Sequence, residues 1–200
     1  TRIGGTKQVK HEAVEALQPD LIIANKEENT PEDVERLAQH YPVWVSDVRT
    51  LPQAIQMIRD VGALVAAGQQ AEQLAIAIER SLQTWPKFDA QRVAYLIWRR
   101  PWMGVGADTF IDSVLERLGV VNVLAGKGRY PKVTLQELAE RHTDEVWLSS
   151  EPFPFKEQHI DEITEALPDS KVRLVDGELF SWYGSRMLRM ANYFQQGLEG

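Results

Sequence analysis

Apolar residues in this chain gather into short runs, and between the runs they recur at helical spacing, so strand-like and helix-like segments alternate. Leu21-Ile22-Ile23-Ala24 and Val43-Trp44-Val45 have the length and composition of buried strands. Between them, Thr30-Pro31-Glu32-Asp33 supplies an N-cap residue, a proline at the first helical position and two early acids, which predicts strand, helix, strand. Thr50 with Gln53 reads as a capping box opening a helix whose apolar positions are Ile55, Ile58, Val61 and Leu64 or Val65. A further helix follows over residues 69–85, with Leu74, Ile78, Leu82 and Trp85 on one stripe, and Pro86 and the polar stretch 87–91 end it.

The second half repeats the alternation. Residues 93–98 predict a strand, 108–118 a helix with Phe110, Val114, Leu115 and Leu118 inward, and Gly119 its stop. Thr134 with Glu137 marks another capping box at the head of a helix to about 142. Strands are then expected at 146–148 and 172–175, with helices over 156–167 and 184–196. Near-continuous apolar strands between helices predict an α/β chain of parallel sheets covered on both faces, built as two small doubly wound lobes. The first half offers only two strands, so the N-terminal lobe is expected to be incomplete, with further residues before Thr1.

Composition narrows the partners. The 200 residues carry a formal net charge of -7 with both signs interspersed, which provides no basic field for nucleic acid or an anionic membrane. No apolar run approaches the roughly twenty residues that cross a bilayer, and any export signal is expected to lie outside these residues. The absence of cysteine excludes disulfides, thiolate metal sites, a cysteine nucleophile and a lipidated cysteine on the residues shown.

Ligands of open parallel sheets bind beyond the carboxyl ends of the strands, so the segments after each strand are the places to look. Aromatic and charged residues concentrate there: Asn25 to Asn29, Trp98-Arg99-Arg100-Pro101-Trp102-Met103, Glu151 with Phe153 and Phe155, and Asp176-Gly177-Glu178 followed by Phe180, Trp182 and Tyr183. Rings outside the periodic stripes either cap the sheet edge or form the wall of a site for a large ligand with polar fringes, and their number favours the wall. Of Arg99 and Arg100, adjacent strand-end residues pointing apart, one is expected to face a cleft. Enzyme signatures are weak. His11, His40, His142 and His159 lie on different elements without zinc-ligand spacing and read as surface residues, and neither Gly4-Gly5-Thr6-Lys7 nor Gly104-Val105-Gly106 completes a phosphate-binding loop. A metal-assisted hydrolase or transferase using Asp47, Asp176 and Glu178 is the rival reading, and an adhesion module a third.

Taken in order, Gly-Gly-Thr-Lys leading to Glu12, then Ala16-Leu17-Gln18-Pro19-Asp20-Leu21-Ile22-Ile23-Ala24, resembles the class III (helical-backbone) substrate-binding proteins of ABC importers. Gly119-Val120-Val121-Asn122-Val123 and Tyr130-Pro131-Lys132-Val133-Thr134-Leu135-Gln136-Glu137-Leu138 are similar to later motifs of the same family, so the likeness runs over essentially the whole chain. The resemblance implies two α/β lobes joined by one long helix: a partial N-terminal lobe over 1–66, a connecting helix over 67–89 and a C-terminal lobe over 90–200. A helix of about 17 residues is about 25 Å long and stiff, so closure on binding is expected to be modest.

The implied function is capture without chemistry, in a cleft between the lobes, followed by delivery to a membrane permease. No catalytic residue, intrinsic cofactor or protein-held metal is expected. The family setting is periplasmic or otherwise extracytoplasmic, and the protein is expected to be a monomer. Cobalamin receptors of the family place a phenylalanine where Trp102 or Met103 falls and a tryptophan where Tyr130 falls, but Thr6 and Asn25 stand where tryptophans would be. A corrinoid or ferric siderophore is therefore expected as solute, with haem less favoured. The expected ligand-binding set is Asn25, Trp98, Arg99, Arg100, Trp102, Met103, Tyr130, Phe153, Phe155, Phe180, Trp182 and Tyr183. Permease docking in the family uses one carboxylate per lobe, which falls on Glu12 and on Gln136, with Glu137 beside it.

Overall fold

A computed structural model describes residues 1–198 and forms two compact units, Thr1–Asp47 and the residues from Val48 onward. In the first unit β1 (Gly4–Gly5) and β2 (Gln8–Val9) make a small antiparallel hairpin, followed by α1 (His11–Leu17), β3 (Ile22–Asn25), α2 (Pro31–Ala38) and β4 (Val43–Ser46). The two longer strands pair in parallel, with Ile22 opposite Val43 and Asn25 opposite Ser46. Thr30 caps α2 as expected: its Oγ1 accepts the Asp33 N–H at 3.2 Å, and Pro31 takes the first helical position. The hairpin was not legible, because two-residue strands carry no periodicity. Gly4 enables it at φ 109, a conformation open to glycine.

The second unit opens with α3 (Leu51–Leu64) and α4 (Gly68–Gln83), which pack on each other so closely that a Cβ at Gly62 would overlap the Ala71 side chain. Arg59 fastens the pair, reaching Glu72 at 2.7 Å and Glu79 at 3.0 Å. Then follow β5 (Arg92–Trp98), β6 (Met103–Gly104), α5 (Phe110–Leu118), β7 (Val121–Asn122), α6 (Leu135–Glu140), β8 (Glu145–Ser149), α7 (Glu157–Ala166), β9 (Lys171–Val175), α8 (Glu178–Ser181) and α9 (Met187–Gln195). The sheet runs β6-β5-β8-β9, with β7 also paired to β5; only β6 is antiparallel.

Alternation along the strands divides the core. Val93, Tyr95 and Trp147 join a cluster with Ala54, Ile78, Val114 and Phe194 from α3, α4, α5 and α9. Ala94, Leu96, Val146 and Leu148 point the other way, to Leu138 of α6 and Ile163 of α7. Every residue of β8 is buried, as a central parallel strand requires, and each large apolar side chain there contributes about 1.5–3 kcal/mol of burial.

Two expectations need correction. The helix predicted over 184–196 begins only at Met187, because Gly184 sits at φ 101, and the chain before it forms the separate turn α8. The capping boxes at Thr50 and Thr134 are half formed: each threonine Oγ1 accepts the N–H three residues on. The reciprocal side chains go elsewhere, Gln53 to the Arg49 N–H and Glu137 to Lys127 and Arg141. The sequence partition into 1–66, 67–89 and 90–200 follows family roles, whereas packing groups α3 and α4 with the second unit.

Candidate functional site

The carboxyl ends of β5, β8 and β9 open into three segments that hold one another by polar contacts. Tyr95, fully buried in β5, donates its hydroxyl to Ser149 Oγ at 3.2 Å, and burial raises the phenol above its ordinary range. Ser149 in turn donates to the Glu151 carbonyl at 2.6 Å. Ser150 N–H donates to Val175 O at 3.0 Å, and its Oγ accepts the Gly177 N–H at 2.9 Å, so the turns after β8 and β9 are locked together. Gly177 is required there by space: a Cβ would overlap Ser149 Oγ and lie 2.8 Å from Glu151 Cγ.

The segment from Glu151 to Phe155 reads Glu-Pro-Phe-Pro-Phe, and its two prolines restrict the backbone of a loop that serves two aromatic groups. In one group Phe153 meets the Trp98 ring edge-on at 5.8 Å, Phe155 stacks on Trp102 at 6.0 Å, and His159 sits 5.4 and 5.5 Å from the two phenylalanines. His159 is buried, and its Nδ1 accepts the Lys156 N–H at 2.9 Å, which corrects the expectation of a surface histidine. In the other group Trp182 Nε1 donates to Glu151 Oε1 at 2.6 Å, the same oxygen accepts Ser181 Oγ at 2.8 Å, and the Arg186 guanidinium lies 5.2 Å from the Trp182 ring centre. Glu178 pairs with Arg186, and its own N–H donates to Asp176 Oδ1 at 3.0 Å.

The expected ligand set therefore separates by exposure. Trp98 and Trp182 are 40% and 51% exposed, the two exposed rings of that set. Trp102, Met103, Tyr130, Phe153 and Tyr183 are half-buried; Tyr130 lies under Arg129 at 5.8 Å and Tyr183 against Phe110 at 5.2 Å. Phe155 and Phe180 are buried, and Phe180 has no exposed surface to offer, packed on Tyr95, Trp147 and Phe194. Arg99 folds over Trp102 at 5.8 Å and pairs with Glu162 at 2.6 Å, whereas Arg100 is exposed. Asn25, in the first unit, organises its own turn: Oδ1 accepts the N–H of Glu27 at 2.8 Å and of Glu28 at 3.2 Å.

The docking candidates differ as well. Glu12 is exposed in the first turn of α1. Gln136 is exposed but donates to Glu140 at 2.9 Å, and Glu137 is held by Lys127 at 2.7 Å and Arg141 at 2.9 Å, with Lys127 the larger cause of a carboxyl pKa below its ordinary value. Of the carboxylates in the enzyme reading, Asp47 pairs with Lys26 in the first unit, and Asp176 and Glu178 are engaged as described. Among the described residues no cluster of three or more His, Cys, Asp or Glu is placed to hold a metal ion, and no helix is long and apolar enough to cross a membrane.

A groove of about 820 Å³ lies in the second unit along β9, α8 and α9, bordered by the strand-end residues Asp176 and Glu178 and by Leu188, Arg189 and Tyr193, which the sequence did not single out. It adjoins the strand-end turns but contains neither exposed tryptophan. Apart from Ser150 its walls come from the stretch Leu174 to Leu198, and the turn of the chain from β9 through α8 into α9 folds them around the groove.

With that geometry in place, comparison with known proteins assigns the chain. Residues 1–169 match the model of the periplasmic binding protein family, and the chain belongs to that family, whose members bind solutes and are not enzymes. A relative, the vitamin B12-binding protein of Vibrio campbellii, is 23% identical over 154 residues, which is 74% of this chain and 56% of the relative. The chain thus spans little more than half that relative's length. The periplasmic haem-binding protein of Vibrio cholerae shares the fold at TM-score 0.78 and 18% identity, covering 99% of this chain and 84% of its own. An ABC-type Fe3+-hydroxamate transport protein of Saccharomonospora viridis does so at TM-score 0.69 and 20% identity, covering 100% and 76%.

Proposed function

We propose that this chain is the solute-capturing component of an ABC importer, working outside the cytoplasm as a monomer and passing a bulky metal-bearing compound to a membrane permease. Corrinoids and ferric siderophores are the favoured solutes, haem the less favoured. The observation that carries the reading is the pair of exposed tryptophans, Trp98 and Trp182, each fixed by the same proline-restricted loop at the carboxyl ends of β5, β8 and β9. Two exposed rings beside ordered polar groups give a ligand with apolar area and polar fringes both kinds of contact. Family membership and the kinds of ligand named for the similar proteins point the same way. The roles expected from the sequence, partial lobe 1–66, backbone helix 67–89 and second lobe 90–200, belong to this proposal, as does docking through Glu12.

Equilibrium dialysis of the full-length protein against cyanocobalamin, hemin and ferrioxamine B tests it. Saturable one-to-one binding of at least one of the three is expected. Absence of binding to all three contradicts the proposal.

A further inference from the structure

Trp182 is more than half exposed, yet it is held on two sides: its Nε1–H donates to Glu151 Oε1 at 2.6 Å, and Arg186 lies over the ring at 5.2 Å. Water could satisfy the indole N–H of an exposed ring, so these two contacts set the orientation of the ring rather than its solvation. Arg186 is itself matched by Glu178, so its charge is met inside the array. Ser181 Oγ and Trp182 Nε1 both use Oε1 of Glu151, and Oε2 has no hydrogen-bond partner among the described residues. The result is an indole surface covered by a cation on one side, open on the other, and edged by an anionic oxygen with spare acceptor capacity.

We infer that Trp182, positioned by Glu151 and Arg186, is a specificity-determining residue that selects a solute presenting an extended conjugated or apolar face with neutral hydrogen-bond donors at its rim, and that rejects solutes with carboxylates there. This rests on the solute-capture reading above and narrows it. Corrinoids fit, because primary amides surround the ring and donate N–H. Porphyrins such as haem bring propionates to the same edge, where a carboxylate against Glu151 Oε2 meets like-charge repulsion. A hexadentate hydroxamate complex has no flat face to lay on the indole.

Isothermal titration of the full-length protein with cyanocobalamin and with hemin tests the inference. The wild type is expected to bind cyanocobalamin at least about tenfold more tightly than hemin. Trp182→Ala should weaken cyanocobalamin binding by about tenfold or more, as loss of one stacking ring does elsewhere, while Trp182→Phe keeps most of the affinity. Glu151→Gln, which retains the shape but removes the charge, should narrow the preference over hemin severalfold. Circular dichroism of each variant checks folding, which an exposed ring at position 182 should not govern. Wild-type preference for hemin, or Trp182→Ala binding cyanocobalamin as the wild type does, overturns the inference and leaves solute capture standing. Failure of the wild type to bind either compound or ferrioxamine B removes solute capture and the inference together.

Discussion

Replacing Gly177 by alanine perturbs the point on which the strand-end geometry turns. Gly177 has φ -60, so alanine meets no backbone strain there and the whole effect is steric. The added methyl would overlap Ser149 Oγ, which Tyr95 and the Glu151 carbonyl hold in place, and stand 2.8 Å from Glu151 Cγ and 3.0 Å from the backbone N of Glu151. Relief requires the β8 and β9 turns to move apart, loosening the Ser150 to Gly177 hydrogen bond of 2.9 Å and shifting the carboxylate that holds Trp182. Overpacking of this kind costs about 1–3 kcal/mol, which for a chain of this size lowers the melting temperature by roughly 2–12 °C. Thermal unfolding followed by circular dichroism measures the first effect, and solute affinity the second. Gly126→Ala is the control, since nothing lies within 4 Å of its added methyl. A Gly177→Ala protein that melts and binds as the wild type does would mean that the β8 and β9 turns have room for the methyl.

Other outcomes follow from single contacts. Asp33 accepts from His11 at 2.6 Å and from Thr30, and these bonds, His11 first, hold its carboxyl below the ordinary 3.8. A depressed folded-state pKa adds stability above the unfolded value and loses it as pH falls through the folded one, so Asp33→Asn should destabilise the protein at neutral pH and converge with the wild type as pH falls through that lowered value, read by chemical denaturation across pH. Gly119 stops α5 at φ 83, and Gly119→Ala should cost about 1 kcal/mol, seen as a lower denaturation midpoint. Reversing Glu12, which is exposed, should impair uptake in cells while solute affinity stays unchanged; normal uptake would remove it from the docking surface.

Most of the fold could be read from the chain because its signals are local. Threonine caps at 30, 50 and 134, the apolar runs of β3, β4, β5 and β8, and Gly119 state their roles within a few residues. What the sequence hid is decided by partners far away. Phe180 and Trp182 lie two positions apart in one aromatic stretch, and only packing on Tyr95 and Trp147 makes the first core while the second stays open. Glu137 stands at capping-box spacing from Thr134, but its carboxylate turns to Lys127 and Arg141. Asn25 follows a strand, as a ligand contact would, but the backbone of its own turn uses its side-chain oxygen. Position after a strand thus narrows the search without saying which way a side chain turns.

On the function proposed above, the solute meets Trp98 and Trp182 of the second unit. Indole 15N–1H spectra of the full-length protein, with the resonances of its six tryptophans assigned by substitution, test this directly when cyanocobalamin is added. The Trp98 and Trp182 signals should move most, while those of Trp85 and Trp147, 4% and 0% exposed, stay nearly fixed. Bound solute that leaves Trp98 and Trp182 unmoved would contradict that contact.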